Sequence, residues 1–136
     1  MKQIDLEVNN KLAEDLNKEI RQFALNYDEI NLHGVCGQRY IGCGIDHDIK
    51  INIDGVPGND LGAYMAGPEL EVFSNAQDAI GNTMNKGRII VHGSCGDTTG
   101  YAMRGGEIFV KDSVGYRVGI HMKEYLDMKP AIAIGT

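Results

Sequence analysis

Glycine and methionine recur together at a fixed interval of 19 residues through the second half of this chain. The glycines are Gly62, Gly81, Gly100 and Gly119, and the methionines are Met65, Met84, Met103 and Met122. Two unrelated residue types that share one period indicate a repeated structural unit, and such a period decides the architecture. The sequence therefore predicts a stack of similar coils.

Each repeat also contains a short alternating apolar segment. The columns in phase with the glycines are Ile51, Leu70, Ile89 and Ile108, then Ile53, Val72, Val91 and Val110, and finally Leu61, Ile80, Thr99 and Val118. Two apolar positions separated by one residue predict a strand with alternate side chains facing inward. A 19-residue unit is too short for a helix pair or a propeller blade, and the leucine ladder of leucine-rich repeats is missing. These features predict an all-β fold, a right-handed parallel β-helix that is a single-stranded solenoid.

The solenoid is predicted to occupy residues 30–136. The string INLHGVCG from Ile30 resembles IIVHGSCG from Ile89, so a first coil begins near Ile30, although Ile51 follows it by 21 residues. The phase slips again over Lys123 to Lys129, after which 130–135 has the pattern of another opening strand. If the polypeptide stops at 136, that coil is unfinished, and its unpaired backbone groups predict a partner, a homo-oligomer or a truncated chain.

Residues 1–29 differ from the repeats and are predicted to form a strand followed by a capping α-helix. Ile4, Leu6 and Val8 alternate as in a strand, and Asn9-Asn10 is a candidate helix cap. One helical stripe then contains Leu12, Leu16, Ile20, Phe23, Ala24 and Tyr27. The favoured interpretation is a helix that covers the open end of the first coil, and the alternative is a helix that docks a partner.

The cysteines and histidines do not form a recognisable catalytic or metal site. Cys36 and Cys95 are predicted to lie three coils apart, about 14 Å by strand spacing, which is too far for a disulfide or a shared metal. Cys43 follows Cys36 in a C-x6-C spacing that is unlike common zinc or cluster motifs. All three are therefore expected to be free thiols in a reducing compartment. His33 and His92 are expected to point outward, and no spacing unites them with His47 or His121.

Two further columns each allow a structural and a functional interpretation. Asn59, Asp78 and Asp97 could form a calcium site or an acidic cleft, but a ladder of turn-forming side chains is favoured because the calcium-repeat sequence is missing. The methionine column could be an adaptable partner surface, but stacked core is favoured because neighbouring columns face inward.

Bulk composition excludes several classes of protein. A net charge of −6 argues against nucleic-acid binding, no apolar run reaches membrane length, and the first residues do not resemble a signal peptide. We expect a cytoplasmic protein that binds neither nucleic acid nor membrane.

Three segments resemble a known family: 77–84 (QDAIGNTM), 96–106 (GDTTGYAMRGG) and 114–124 (VGYRVGIHMKE). They look like the GXGXG β-helix domain at the C-terminus of the glutamate synthase large subunit, over about residues 30–134. The resemblance implies a non-catalytic scaffold that works with glutamine amidotransferase and FMN-binding synthase partners and supports glutamate biosynthesis and ammonia channelling. FMN and an iron–sulfur cluster are then expected on the partner subunits, with no catalytic, cofactor-binding or metal-binding residue in this chain.

Two alternative functions remain open from the sequence. Formylmethanofuran dehydrogenase, an oxidoreductase, includes a component that carries a similar glycine repeat. A polysaccharide-active β-helix protein would instead need an aromatic or acidic groove, and the chain has no Trp and no aromatic column.

Overall fold

A computed structural model describes residues 2–124 and 129–135 and confirms the predicted fold class, a parallel β-solenoid with one strand per coil. Seven strands form one sheet in sequence order, and every neighbouring pair is parallel. The strands are β1 (Gln3–Glu7), β2 (Glu29–Cys36), β3 (Lys50–Val56), β4 (Ala66–Val72), β5 (Lys86–Val91), β6 (Glu107–Val110) and β7 (Ala131–Ile134), and the helix is α1 (Ala13–Ala24).

The strand register reproduces the sequence period. Ile51 pairs with Leu70, Leu70 with Ile89, and Ile89 with Ile108, so residues 19 apart are neighbours in the sheet. Ile30 pairs with Ile51, which confirms the longer first interval. One extra residue of the first coil is absorbed where the β2–β3 register shifts between Leu32 and Val35.

The strand predicted after the second phase slip is present as β7. Ile132 pairs with Ile108, so this rung follows its predecessor by 24 residues. The sequence places the slip itself over Lys123 to Lys129, and the middle part of that segment lies outside the described residues.

The inward columns form a continuous core. Met65, Met84 and Met103 are completely buried, as the core interpretation of the methionine column predicts, and Met122 is half-buried. The strand columns from Ile30 to Ile108 and from Leu32 to Val91 are buried to within 1% of complete burial. Stacking buries like side chains on like, and it gives each coil neighbours that its own short strand could not provide.

The side of each coil opposite the strand has a repeated left-handed backbone. Three residues per coil have positive φ, at alternate positions, and the central one is always glycine. In the coil after β4 they are Ala79 (φ 58), Gly81 (φ 69) and Thr83 (φ 55). The Ala79 N–H donates to Asp97 O of the next coil, and the Gly81 N–H donates to Leu61 O of the previous one. This alternation joins each coil to both of its neighbours.

The N-terminal segment extends and covers the stack. β1 pairs with β2, with Ile4 opposite Ile30, and α1 fills the space between these two strands in the chain. Leu16, Ile20 and Ala24 are buried and Phe23 is half-buried, but Leu12 is 70% exposed. The Asn17 amide donates to Arg39 O at 3.0 Å, so α1 lies against the first coil.

The predicted helix cap is wrong. Leu12 occupies the N-cap position of α1 and makes no side-chain capping bond, whereas Asn9 and Asn10 precede it in a turn. The buried stripe, rather than a cap, therefore sets where the helix begins.

Candidate interaction surfaces

The outer face of the sheet carries a column of alternating charge. Strand register aligns Glu29, Lys50, Glu69, Arg88 and Glu107 side by side on five successive strands. Arg88 donates to Glu107 at 2.9 Å, and its guanidinium also lies 3.6 Å from Glu69. Opposite charges on adjacent strands stabilise the register, although each exposed pair contributes little free energy.

Lys50 connects the first outward column to the second. Its ammonium group donates to Glu69 and, at 2.6 Å, to Glu71. Burial alone would lower the pKa of Lys50, but the bonds to these two carboxylates outweigh it and raise that pKa. The pKa of Glu71 is lowered, first by the bond from Lys50 and then by the contact with His92 at 2.6 Å.

The two histidines in the strand columns face outward, which confirms the prediction for them. His33 lies 3.0 Å from Asp5 and 3.9 Å from Asp54, and the hydrogen bond with Asp5 raises the pKa of His33 above its ordinary value. His92 stacks on the Phe73 ring with centroids 5.2 Å apart and an interplanar angle of 7°.

A shallow groove follows the beginnings of the strands. One depression of 330 Å³ is lined by residues that include Asp28, Asp48 and Lys50, and an adjoining one of 340 Å³ continues to Arg88 and Glu107. Gly67 lines both depressions, and a Cβ there would approach His47 O to 2.8 Å, so glycine allows the coils to approach this closely.

The outer face changes character toward β7. The middle outward column runs from Asn31, Asn52 and Glu71 to Ile90, Phe109 and Ala133. We call Ile90, Phe109 and Ala133 the apolar face; they line a depression of 350 Å³. Phe109 is 37% exposed and Phe73, beside the apolar face, is 55% exposed. Sequence reasoning missed this surface, although its signal was the change from polar to apolar residues between the two inward strand columns.

The Asn59, Asp78 and Asp97 column is a structural ladder of a kind that the sequence predicted only in part. Asn59 Oδ1 accepts from the Asp78 N–H at 2.9 Å, Asp78 Oδ1 from the Asp97 N–H at 2.7 Å, and Asp97 Oδ1 from the Tyr116 N–H at 2.7 Å. Turn-forming side chains commonly bond their own backbone, but each of these bonds the backbone of the next coil. The ladder therefore holds coils together.

The three cysteines are free, as predicted, but Cys36 and Cys95 have different surroundings. Cys36 is exposed in β2, whereas Cys95 is buried after β5 with its sulfur 3.1 Å from Thr99 Oγ1. The register shift in β2 separates their surroundings despite the matching local sequence. Burial raises the pKa of the Cys95 thiol.

Across the described ranges, no group of three or more His, Cys, Asp or Glu side chains is arranged to hold a metal ion. Over the same residues, no helix has the length and apolar content that crossing a bilayer requires.

The repeat period, the parallel solenoid and the central glycine of each coil agree with a comparison to protein families. The model of the GXGXG motif matches residues 2–132. The chain belongs to the GXGXG-motif family. This family is associated with glutamate synthase, which agrees with the resemblance seen in the sequence.

The chain is also similar to an uncharacterized protein from Methanocaldococcus jannaschii. The two are 44% identical over 139 residues, which cover 99% of this chain and 53% of the relative. The chain thus spans about half the length of that relative. No solved structure matches the chain.

Proposed function

We propose that this GXGXG chain is a non-catalytic scaffold in a glutamate synthase-type complex. The observation that carries the proposal is the family match over residues 2–132 together with a fully stacked solenoid core. A stack held by buried ladders and coil-to-coil hydrogen bonds is rigid, and a rigid body suits the positioning of two other active centres. The expected partners are a glutamine amidotransferase and an FMN-binding synthase with an iron–sulfur cluster.

The finer part of the proposal is that the scaffold supports transfer of ammonia between those partners. The surface available for it is the outer face of the solenoid, because the interior is filled by side chains such as Leu70 and Met84. We expect any passage to run between this outer face and a partner. We also expect the complex to be cytoplasmic.

Two measurements test the scaffold role and the ammonia transfer separately. Affinity purification from the native source should recover an amidotransferase and a flavoprotein, and the flavoprotein should show flavin absorbance. Recovery of a molybdenum or tungsten pterin protein instead would favour the formylmethanofuran dehydrogenase-type alternative and contradict our assignment.

Reconstitution from the separate proteins then tests transfer. With this chain present, glutamate formation from glutamine should rise relative to glutamate formation from free ammonium. An unchanged ratio in a complex that still assembles would remove the channelling role and leave the scaffold role intact.

A further inference from the structure

The apolar face stands out because the rest of the outer sheet surface satisfies its polar groups internally. Asn52 donates to Glu29 and Asn31, and Lys50 and His92 converge on Glu71. Ile90 and Phe109 follow in the same column and offer water no polar group. Exposed apolar groups that are adjacent, with polar residues around them, are typical of a protein contact surface.

Charges of opposite sign flank this face along the strand direction. In β6 and just after it, the outward residues are Glu107, Phe109 and Lys111 in succession. Glu107 lies beside Arg88 and Glu69, so its end of the strand has an excess of negative charge. Among the described residues, Lys111 has no carboxylate within ion-pairing distance. One surface therefore carries both halves of a complementary pair.

We propose that the apolar face is the contact between two copies of this chain, packed sheet against sheet with their strands antiparallel. A twofold axis along the stack, opposite Phe109, brings Lys111 of each copy over Glu107 of the other. The parallel arrangement would place like charges together, so the charges select the orientation. This inference goes beyond the proposed function and does not depend on it.

The dimensions fit such a contact. Glu107 and Lys111 are four residues apart, about 13 Å along a strand, and packed sheets lie about 10 Å apart. The two charged groups then face each other across a gap that their side chains span, while Phe109 and Ile90 fill the centre. Aligned sheets pack in this manner in β-sandwiches.

The size of the face predicts a weak dimer. Four strands from β4 to β7, each presenting about five residues, cover a rectangle of about 19 Å by 16 Å. A stable complex uses about 800 Å² per partner, so we expect a dissociation constant above about 10 µM.

Sedimentation equilibrium of the 136-residue chain, from about 10 µM to about 1 mM at low ionic strength, should show a monomer–dimer equilibrium that weakens with added salt. Phe109→Ser should weaken association by at least about tenfold, because an aromatic anchor at the centre is lost. Tyr116→Ser is the matched control: Tyr116 is 81% exposed but lies on the turn side, so its loss should leave association unchanged. Circular dichroism verifies that each variant is folded.

Charge reversal tests the orientation. Glu107→Lys and Lys111→Glu should each associate less than the wild type, since each places like charges across the contact. An equimolar mixture of the two variants should recover association, because every facing pair then has opposite sign. A chain that remains monomeric at the highest concentration, a Phe109→Ser variant that associates normally, or a mixture that does not recover would each overturn the proposal.

Discussion

The central glycine of each coil gives the sharpest test of how this stack is held. Gly81 has φ 69, and a Cβ built on it would lie 2.6 Å from Ile108 Cδ1 of the strand column. Gly81→Ala therefore combines two separate costs, a left-handed backbone and a steric overlap with the core. Two other positions separate these costs.

Gly44 and Ala79 are the matched controls. Gly44 has φ 71, but a Cβ there would meet no atom within 4 Å, so Gly44→Ala isolates the backbone cost. Ala79 has φ 58 two residues before Gly81 and already carries its Cβ. Ala79→Gly should relieve left-handed strain while increasing the entropy of the unfolded chain.

The magnitudes follow from these geometries. The left-handed conformation costs an alanine about 1 kcal/mol, and the restricted unfolded chain returns about 0.4 to 1 kcal/mol, so Gly44→Ala should change the free energy of unfolding by less than about 1 kcal/mol. Overpacking adds about 1 to 3 kcal/mol, so Gly81→Ala should destabilise by about 2 to 4 kcal/mol. The opposing terms in Ala79→Gly should nearly cancel, within about 0.5 kcal/mol.

Urea unfolding followed by circular dichroism measures all three variants on one scale, with the m-value as a check that the same surface unfolds. The order of stability loss should be Gly81→Ala far above Gly44→Ala, with Ala79→Gly last. Equal losses in the two alanine variants would show that contact with Ile108 does not matter. The packing argument would then be wrong, whatever the absolute values.

Three further perturbations address the core, the ladder and the outer ion pairs. Met84→Asp should unfold the chain, because it places an unpaired charge at a fully buried site, whereas Met84→Leu should cost less than about 1.5 kcal/mol; thermal melting distinguishes them. Asp78→Ala should lower the free energy of unfolding by about 1 to 2 kcal/mol, since the Asp97 N–H loses its acceptor, and Asp78→Asn should retain most stability in the same urea assay. The hydrogen bond between His33 and Asp5 raises the pKa of His33 and lowers that of Asp5, so its contribution should fade as pH rises through the His33 pKa and as pH falls through the Asp5 pKa. An NMR titration should give a raised His33 pKa that Asp5→Asn reduces, and an unchanged value would refute the pairing.

The sequence predicted the parts of this fold that the stack repeats by residue type. Ile51, Leu70 and Ile89 are vertical neighbours with the same task, so the same kind of side chain recurs and the period is visible. Gly81 recurs for the same reason, because a Cβ would collide with the core at that place in the coil. Equivalent physical environments produced equivalent residues.

The flanking left-handed positions could not be predicted because their side chains face no common constraint. Asp60, Ala79 and Thr98 all have positive φ, yet they share no residue type. Each N–H donates to a carbonyl of the next coil, so hydrogen bonding between coils, rather than local preference, fixes their backbone. The partners of Asp78 and Asp97 were unpredictable for a related reason, since these acceptors act across coils rather than within their own turns.

The outer face shows why a period that reveals the scaffold conceals the function. Inward positions must match the coil above and below, whereas outward positions must only tolerate their neighbours, so they are free to vary along the stack. Lys50 and Glu71 form a paired polar surface in the first half, and Phe109 continues the same column as an apolar one. A departure from the repeat on the outward columns is therefore more informative about partners than any residue that obeys it. By this argument the change between Glu71 and Ile90 marks the boundary at which the solenoid surface stops serving its own register and becomes available to another protein surface.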